Sequence, residues 1–296
     1  MIGFSAYQFA IGQTTLQEKL GYPKDAKLLI IHADDIGLSH SENAATISAL
    51  EKGPVNSGSI MVPCPWFPEI AAYAKAHTGI DLGLHLTLTS EWKYYKWRPV
   101  LHDQVKSLVT VDGFLTDGSV NLATTAKLEE VEKELRAQID RAIQFGIDPT
   151  HLDSHMGMLF QSAALAKIYV KLGREYRIPV MLNNEMVNGF QIQTNEKDVV
   201  LNKVITAMPP DFKGGMSKYY TNVLNTLTPG LNCLLIHLAY DDAEMKAITI
   251  DHPDWGAAWR QADYDFFTSE ECRKILKDQK IQLITWKEVR DKLVRN

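Results

Sequence analysis

The chain has 296 residues, 45% of them hydrophobic, and a net charge of −5 at pH 7. That is enough apolar material for one large core or two smaller ones. The charges are spread along the chain, with no basic stripe for nucleic acid and no apolar segment long enough to span a bilayer. The three cysteines, Cys64, Cys233 and Cys272, are far apart and odd in number, so they read as buried free thiols, not as a disulfide framework or a CxxC metal motif. The first twenty residues lack the basic start and apolar stretch of a signal peptide, which points to a cytoplasmic protein.

Met1 to Ala26 reads as a peripheral arm, followed by a single domain over residues 27–296. Leu28–Ala33 is a short apolar run bounded by a turn signal, the pattern of a buried parallel strand. Ser41–Lys52 reads as a helix stopped by Gly53, Ser57–Val62 as a second strand and Pro68–His77 as the next helix. Ile80–Thr89 alternates cleanly, with Leu82, Leu84, Leu86 and Leu88 on one face and Gly83, His85, Thr87 and Thr89 on the other. The irregular stretch Ser90–Ala123 is long for a connection inside a compact domain, which argues for a functional loop. Thr125–Phe145 keeps helical spacing through Leu128, Val131, Leu135, Ile139 and Ala142. A strand Pro149–His155, a helix Ser162–Tyr176 and a strand Ile178–Leu182 follow. Helices are expected around Glu196–Ala207 and Ser217–Leu227, then a buried strand over Cys233–Leu238. Thr268 and Glu271 have capping-box spacing at the start of a helix to Lys277. Ile281–Thr285 is the last strand and Trp286–Val294 a closing helix. About seven strands alternating with helices, without a Gly-rich nucleotide motif, predict an irregular, TIM-barrel-like (β/α) barrel.

In parallel sheets, chemistry gathers beyond the carboxyl ends of the strands. Four expected strand ends carry ligand-type residues: Asp34-Asp35, His85, the run His151-Leu152-Asp153-Ser154-His155, and His237. Two adjacent carboxylates in such a place are costly to bury unless a cation or a shared proton compensates. Neighbouring strand residues face opposite ways, so both reach one site only where the strand breaks, and Gly37 permits that break. One carboxylate would then bind metal and leave the other as a general base. His151 and His155 lie roughly 13 Å apart if the segment is extended, which places His155 at the rim and His151 deeper. Asp153 either orients a ligating imidazole or serves as a buried structural carboxylate. Two imidazoles and a carboxylate make a catalytic metal-site composition that suits Zn²⁺, Co²⁺ or Mn²⁺ better than Mg²⁺. Trp92, Tyr94, Tyr95 and Trp97 follow the His85 strand and either stack on sugar rings or pack on the body or on a second subunit of a homodimer.

The segments His32-Ala33-Asp34-Asp35-Ile36-Gly37, Gly83-Leu84-His85-Leu86-Thr87-Leu88 and Thr150-His151-Leu152-Asp153-Ser154-His155 resemble the YdjC family of carbohydrate deacetylases, which includes chitooligosaccharide deacetylases. His237 and Arg260-Gln261-Ala262-Asp263-Tyr264-Asp265 extend the likeness more loosely. The resemblance implies a (β/α) barrel related to polysaccharide deacetylases and a divalent ion, often described as Mg²⁺. It further implies Asp35, His85 and His155 as ligands, Asp34 as base, His237 as acid, and Arg260 and Asp263 as a supporting pair. Many members continue the third motif with further histidines, whereas Met156 and Gly157 stand here. The implied reaction removes acetyl from an N-acetylated sugar or short oligosaccharide. Metal-dependent cleavage of another amide, ester or phosphoester bond is the alternative, as is a carbohydrate-binding barrel without catalysis.

Overall fold

The computed structural model describes residues 14–296. Seven parallel strands form one sheet: β1 Lys27–Ile36, β2 Ser57–Ile60, β3 Leu82–Leu86, β4 Leu152–Ser154, β5 Lys203–Thr206, β6 Gly230–His237 and β7 Gln282–Leu283. The sheet order is β4-β3-β2-β1-β6-β5, and β7 pairs with Leu28 and Leu29 of β1. The sheet curls into an incomplete barrel. Single bridges at Leu152–Val180 and Asn183–Leu201 continue it from β4 toward β5. The expected strand Ile178–Leu182 is reduced to those contacts, because Pro179 has no N–H to offer a ladder and contributes only its carbonyl, to Leu152. The architecture is the irregular (β/α) barrel that the alternating pattern predicts.

Alternation along the strands sorts the interior. On β1, Leu29, Ile31 and Ala33 pack outward against helices such as Ala257–Phe267, while Leu28 and Ile30 join Leu231, Cys233 and Trp286 in a different cluster. His32 and Asp34 continue that second face, toward the carboxyl end. The three leucines of β3, with Leu88 just beyond it, lie in the core with helix Leu128–Gln144, and His85 faces the other way, into the barrel. The barrel is therefore apolar at its amino end and polar at its carboxyl end. All three cysteines are free and buried.

Of the arm expected over Met1–Ala26, residues 1–13 lie outside the described residues. Its remainder holds the helix Leu16–Leu20, capped by Thr15 and Glu18, with Leu20 buried in the amino-end cluster. The helix expected over Glu196–Ala207 is instead irregular chain leading into β5, where the β-branched Val204, Ile205 and Thr206 favour extended backbone. Ser269, not Thr268, caps the helix Glu270–Asp278; the Thr268 hydroxyl donates to the Tyr264 carbonyl and ends the preceding helix. The closing helix runs only over Trp286–Val289 and then widens into a π turn, Arg290–Val294. Among the described residues, no helix is long and apolar enough to cross a membrane.

Candidate active site

Asp34 and Asp35 reach the same side of β1 because Asp35 adopts a left-handed backbone, φ 65°, and the pairing with β2 shifts register between Ala33 and Ile36. The break thus falls on Asp35 itself, a bulge that re-aims one side chain, and Gly37, φ 95°, continues it. β3 carries His85 inward. β4 carries Asp153, then ends in a tight turn in which Met156 and Gly157 both have positive φ, and that turn swings His155 over Asp35. β6 ends at His237, whose N–H donates to Asp263 Oδ2 at 3.0 Å.

The centre is the Asp35 carboxylate. Its Oδ1 lies 3.1 Å from His155 Nδ1 and 3.3 Å from His85 Nε2, yet neither contact has the alignment of a hydrogen bond, so Oδ1 is a buried acceptor without a donor. Each imidazole is anchored from behind. His85 Nδ1–H donates to Asp153 Oδ1 at 2.7 Å, and His155 Nε2 lies 3.1 Å from Glu91 Oε2. Ligand atoms of Asp35, His85 and His155 all fall within 4.8 Å of one another. An orphaned carboxylate oxygen facing two imidazoles, each held at its far nitrogen by a carboxylate, fits a divalent cation.

The Arg260 guanidinium completes the ring. Nη2 donates to Asp35 Oδ2 at 2.7 Å, Nη1 pairs with the buried Glu42, Nε donates to the Trp255 carbonyl, and the group lies over the Trp92 ring. Burial would raise Asp35, but Arg260 and the two imidazoles hold it well below the usual carboxylate range. Burial would lower His155, but Glu91 and Asp35 lift it to about 9. A cation binding here displaces such protons. Burial pushes Glu42 well above its ordinary value, raises Asp263 to about 7 and lowers His237 to about 4.

The other candidates fall in definite places. His237 Nε2 is 3.9 Å from both Asp34 Oδ2 and Asp35 Oδ2. His151 is fully buried below the centre, stacked on Trp286. Arg260 and Asp263 share a helix but hold different groups, Arg260 the Asp35 carboxylate and Asp263 the Tyr220 hydroxyl and the His237 amide. The aromatic loop is divided: Trp92 and Trp97 are buried, Tyr95 donates its hydroxyl to the Leu38 carbonyl, and Tyr94 is 72% exposed. Sequence reasoning missed Glu91, Glu42 and Tyr220. Glu91 lies two residues past the expected strand Ile80–Thr89, a position that could have flagged it, whereas Glu42 and Tyr220 sit on ordinary helices with no signal of their own.

Fold and cluster together define an irregular parallel barrel whose polar centre lies at the carboxyl ends of its strands. Residues 28–278 match the YdjC-like protein family, and the chain belongs to that family. A carbohydrate deacetylase of Thermus thermophilus is 34% identical over 290 residues, covering 94% of this chain and 99% of its own. A carbohydrate deacetylase of Brevibacillus brevis is 30% identical over 272 residues, covering 88% of this chain and 99% of its own. The crystal structure of a proposed cellobiose-phosphate cleavage protein from Enterococcus faecalis superposes with a TM-score of 0.77 at 23% identity, covering 89% of this chain and 99% of that one.

Proposed function

We propose that this protein is a metal-dependent carbohydrate deacetylase that hydrolyses the acetamide of an N-acetylated sugar or short oligosaccharide. The observation that carries the reading is the orphaned Asp35 Oδ1 between His85 and His155, with Asp34 and His237 beside it. The two carbohydrate deacetylases that align over nearly their whole length support it. Asp35, His85 and His155 would hold the ion, and their mixed imidazole and carboxylate donors favour Zn²⁺, Co²⁺ or Mn²⁺ over Mg²⁺. When bound, a divalent ion lowers the pKa of the attacking water and polarises the scissile carbonyl.

Asp34 accepts the proton of the attacking water. His237 is neutral at pH 7, since burial holds it at about 4, so it must gain a proton before it can give one. Asp34 Oδ2, 3.9 Å away, is the group that has just received one. The proton therefore passes from water to Asp34, then to His237, then to the departing nitrogen as the C–N bond breaks. The products are acetate and an amino sugar. Tyr94 is the ring best placed to meet the substrate, with Trp92, Tyr95 and Trp97 shaping the loop beneath it.

The test is acetate release from a panel of N-acetylated mono- and disaccharides by chelated protein reloaded with each divalent metal. Metal-restored release is expected, and Asp34→Asn should cut turnover at least about 100-fold while retaining the metal. No release with any metal, despite one ion bound per chain, would refute the reading.

A further inference from the structure

Beneath the centre, His32 lies fully buried on β1, two residues before Asp34. Its Nε2 faces Asp153 Oδ2 at 2.8 Å, Asp34 Oδ1 at 3.0 Å and Ser59 Oγ at 3.1 Å. Ser59 donates its own proton to Asp153 Oδ2, at 2.9 Å. A bare Nε2 lone pair would stand against two carboxylates, so this nitrogen carries a proton. On the other side, Nδ1 faces Ser57 Oγ at 3.1 Å, and Ser57 donates to the buried Asp81 Oδ1 at 3.0 Å. With that hydroxyl proton committed to a carboxylate, Ser57 offers only a lone pair, and Nδ1 must be the donor. Hydrogen-bond accounting therefore gives the ring two protons and a positive charge. The neighbouring His151 accounts differently: Thr150 donates to Asp81, so His151 Nδ1–H donates to Thr150, and its Nε2 is left unpaired beside Trp286. This assignment also bears on a second group of ligand-type residues. Donor atoms of His32, His151 and Asp153 lie within 4.8 Å of one another, and a cation there would first have to displace a proton from His32.

We propose that His32 is a positioning residue, a buried imidazolium that ties Asp153, the carboxylate orienting His85, to Asp34, the carboxylate that takes the water proton. It rests on the deacetylase reading for the role of Asp34, but not for its own charge. Asp34 Oδ1 has no aligned hydrogen bond, so the charge of His32 beneath it is what compensates that oxygen. One ring thereby fixes the relative position of the base and of one ligand.

The first measurement is long-range ¹H–¹⁵N NMR of the imidazoles in the metal-free protein at pH 7.5, with the His32 signals identified by their loss in His32→Gln. Nine histidines make the spectrum tractable. A ring protonated at both nitrogens is expected, and a neutral tautomer overturns the proposal whether or not any sugar is turned over. The second measurement is steady-state kinetics of metal-loaded His32→Gln, whose amide replaces the Nε2 donor without its charge. A 10- to 100-fold lower kcat is expected, on the scale of lost outer-shell partners, with KM and metal stoichiometry unchanged. An unaltered kcat overturns the positioning role. If His32→Gln does not fold, His32→Asn replaces it in the kinetics, and the wild-type ring, identified through its contacts to Ser57 and Ser59, still decides the charge. Failure of the wild-type protein to release acetate refutes the deacetylase reading alone.

Discussion

Replacing Arg260 by methionine tests the electrostatics of the centre, because the guanidinium stands between two carboxylates that water does not reach. Asp35 and Glu42 are 3% and 0% exposed, and Arg260 itself is 1% exposed. Methionine keeps much of the length of the side chain and its contact with Trp92, but leaves both carboxylates and the Trp255 carbonyl without their donor. Stranding a buried charge costs about 3–5 kcal/mol. Glu42 is already held well above its ordinary value by burial and can escape by taking a proton, and Asp35 retains two imidazoles, so the lower end, about 3 kcal/mol, is expected. At about 2–3 °C per kcal/mol for a chain of this size, Tm should fall by about 6–9 °C at pH 7 in metal-free protein. The sign with pH follows from Asp35, whose folded-state value is depressed. Its stabilisation is present above the unfolded value of about 3.9 and is lost as pH falls through the folded one. The deficit of Arg260→Met should therefore narrow below about pH 4, and Glu42→Gln in the same chain should recover part of it. Calorimetry and urea unfolding give both quantities. A loss under about 1 kcal/mol at pH 7 would show that Arg260 does not compensate Asp35 and Glu42, and would refute the argument.

Three further outcomes are expected. Glu91→Gln, which removes the carboxylate behind His155, should weaken metal binding by about 10- to 100-fold in a competitive chelator titration, with the fold intact by circular dichroism. Asp263 is raised to about 7 by burial, so it favours the folded state fully only below its unfolded value and that contribution is lost as pH rises through about 7. Unfolding free energies from urea titrations between pH 5 and pH 8 should consequently vary less in Asp263→Asn than in the wild type, by an amount on the order of a few kcal/mol. Gly83→Ala would place a Cβ 2.4–2.5 Å from the His151 ring and carbonyl, and the ring is wedged against Trp286. A loss of about 3 kcal/mol or more is expected, at the upper end of overpacking costs, and near-wild-type stability would mean that His151 is free to move.

What the sequence revealed and what it hid follow from the same physics. β1 and β6 are legible because a strand buried on both faces must be apolar throughout, and Leu-Leu-Ile-Ile can be little else. His85 is legible because its strand alternates so cleanly that a histidine on the inner face stands out. β5 is not: Val199, Val200, Val204 and Ile205 fall at spacings that suit a helix, and only their β-branching speaks for a strand. In the site, histidines and an aspartate pair announce themselves by rarity. Glu91 and Glu42 do not, since glutamates in loops and first helical turns are commonplace, and what sets them apart is burial against a particular imidazole and guanidinium. The separate duties of Arg260 and Asp263 were hidden too, because three residues along a helix suggests a pair until Asp35 and Tyr220 arrive from elsewhere.

β1 pairs with β2, β6 and β7, and this has a consequence for synthesis. On the ribosome, Lys27 emerges roughly 200 residues before its partner Gly230, a wait of about 10–40 s at ordinary translation rates. Through that interval a strand with the continuous apolar run Leu28–Ile31, carrying the aspartate pair at its end, has one long edge unpaired, the situation in which nascent chains aggregate. The centre is assembled from β1, β3, β4 and β6, so none of its chemistry exists until most of the chain has been made. Nascent-chain yield should depend on how well holdase chaperones shield Leu28–Ile31 during the wait.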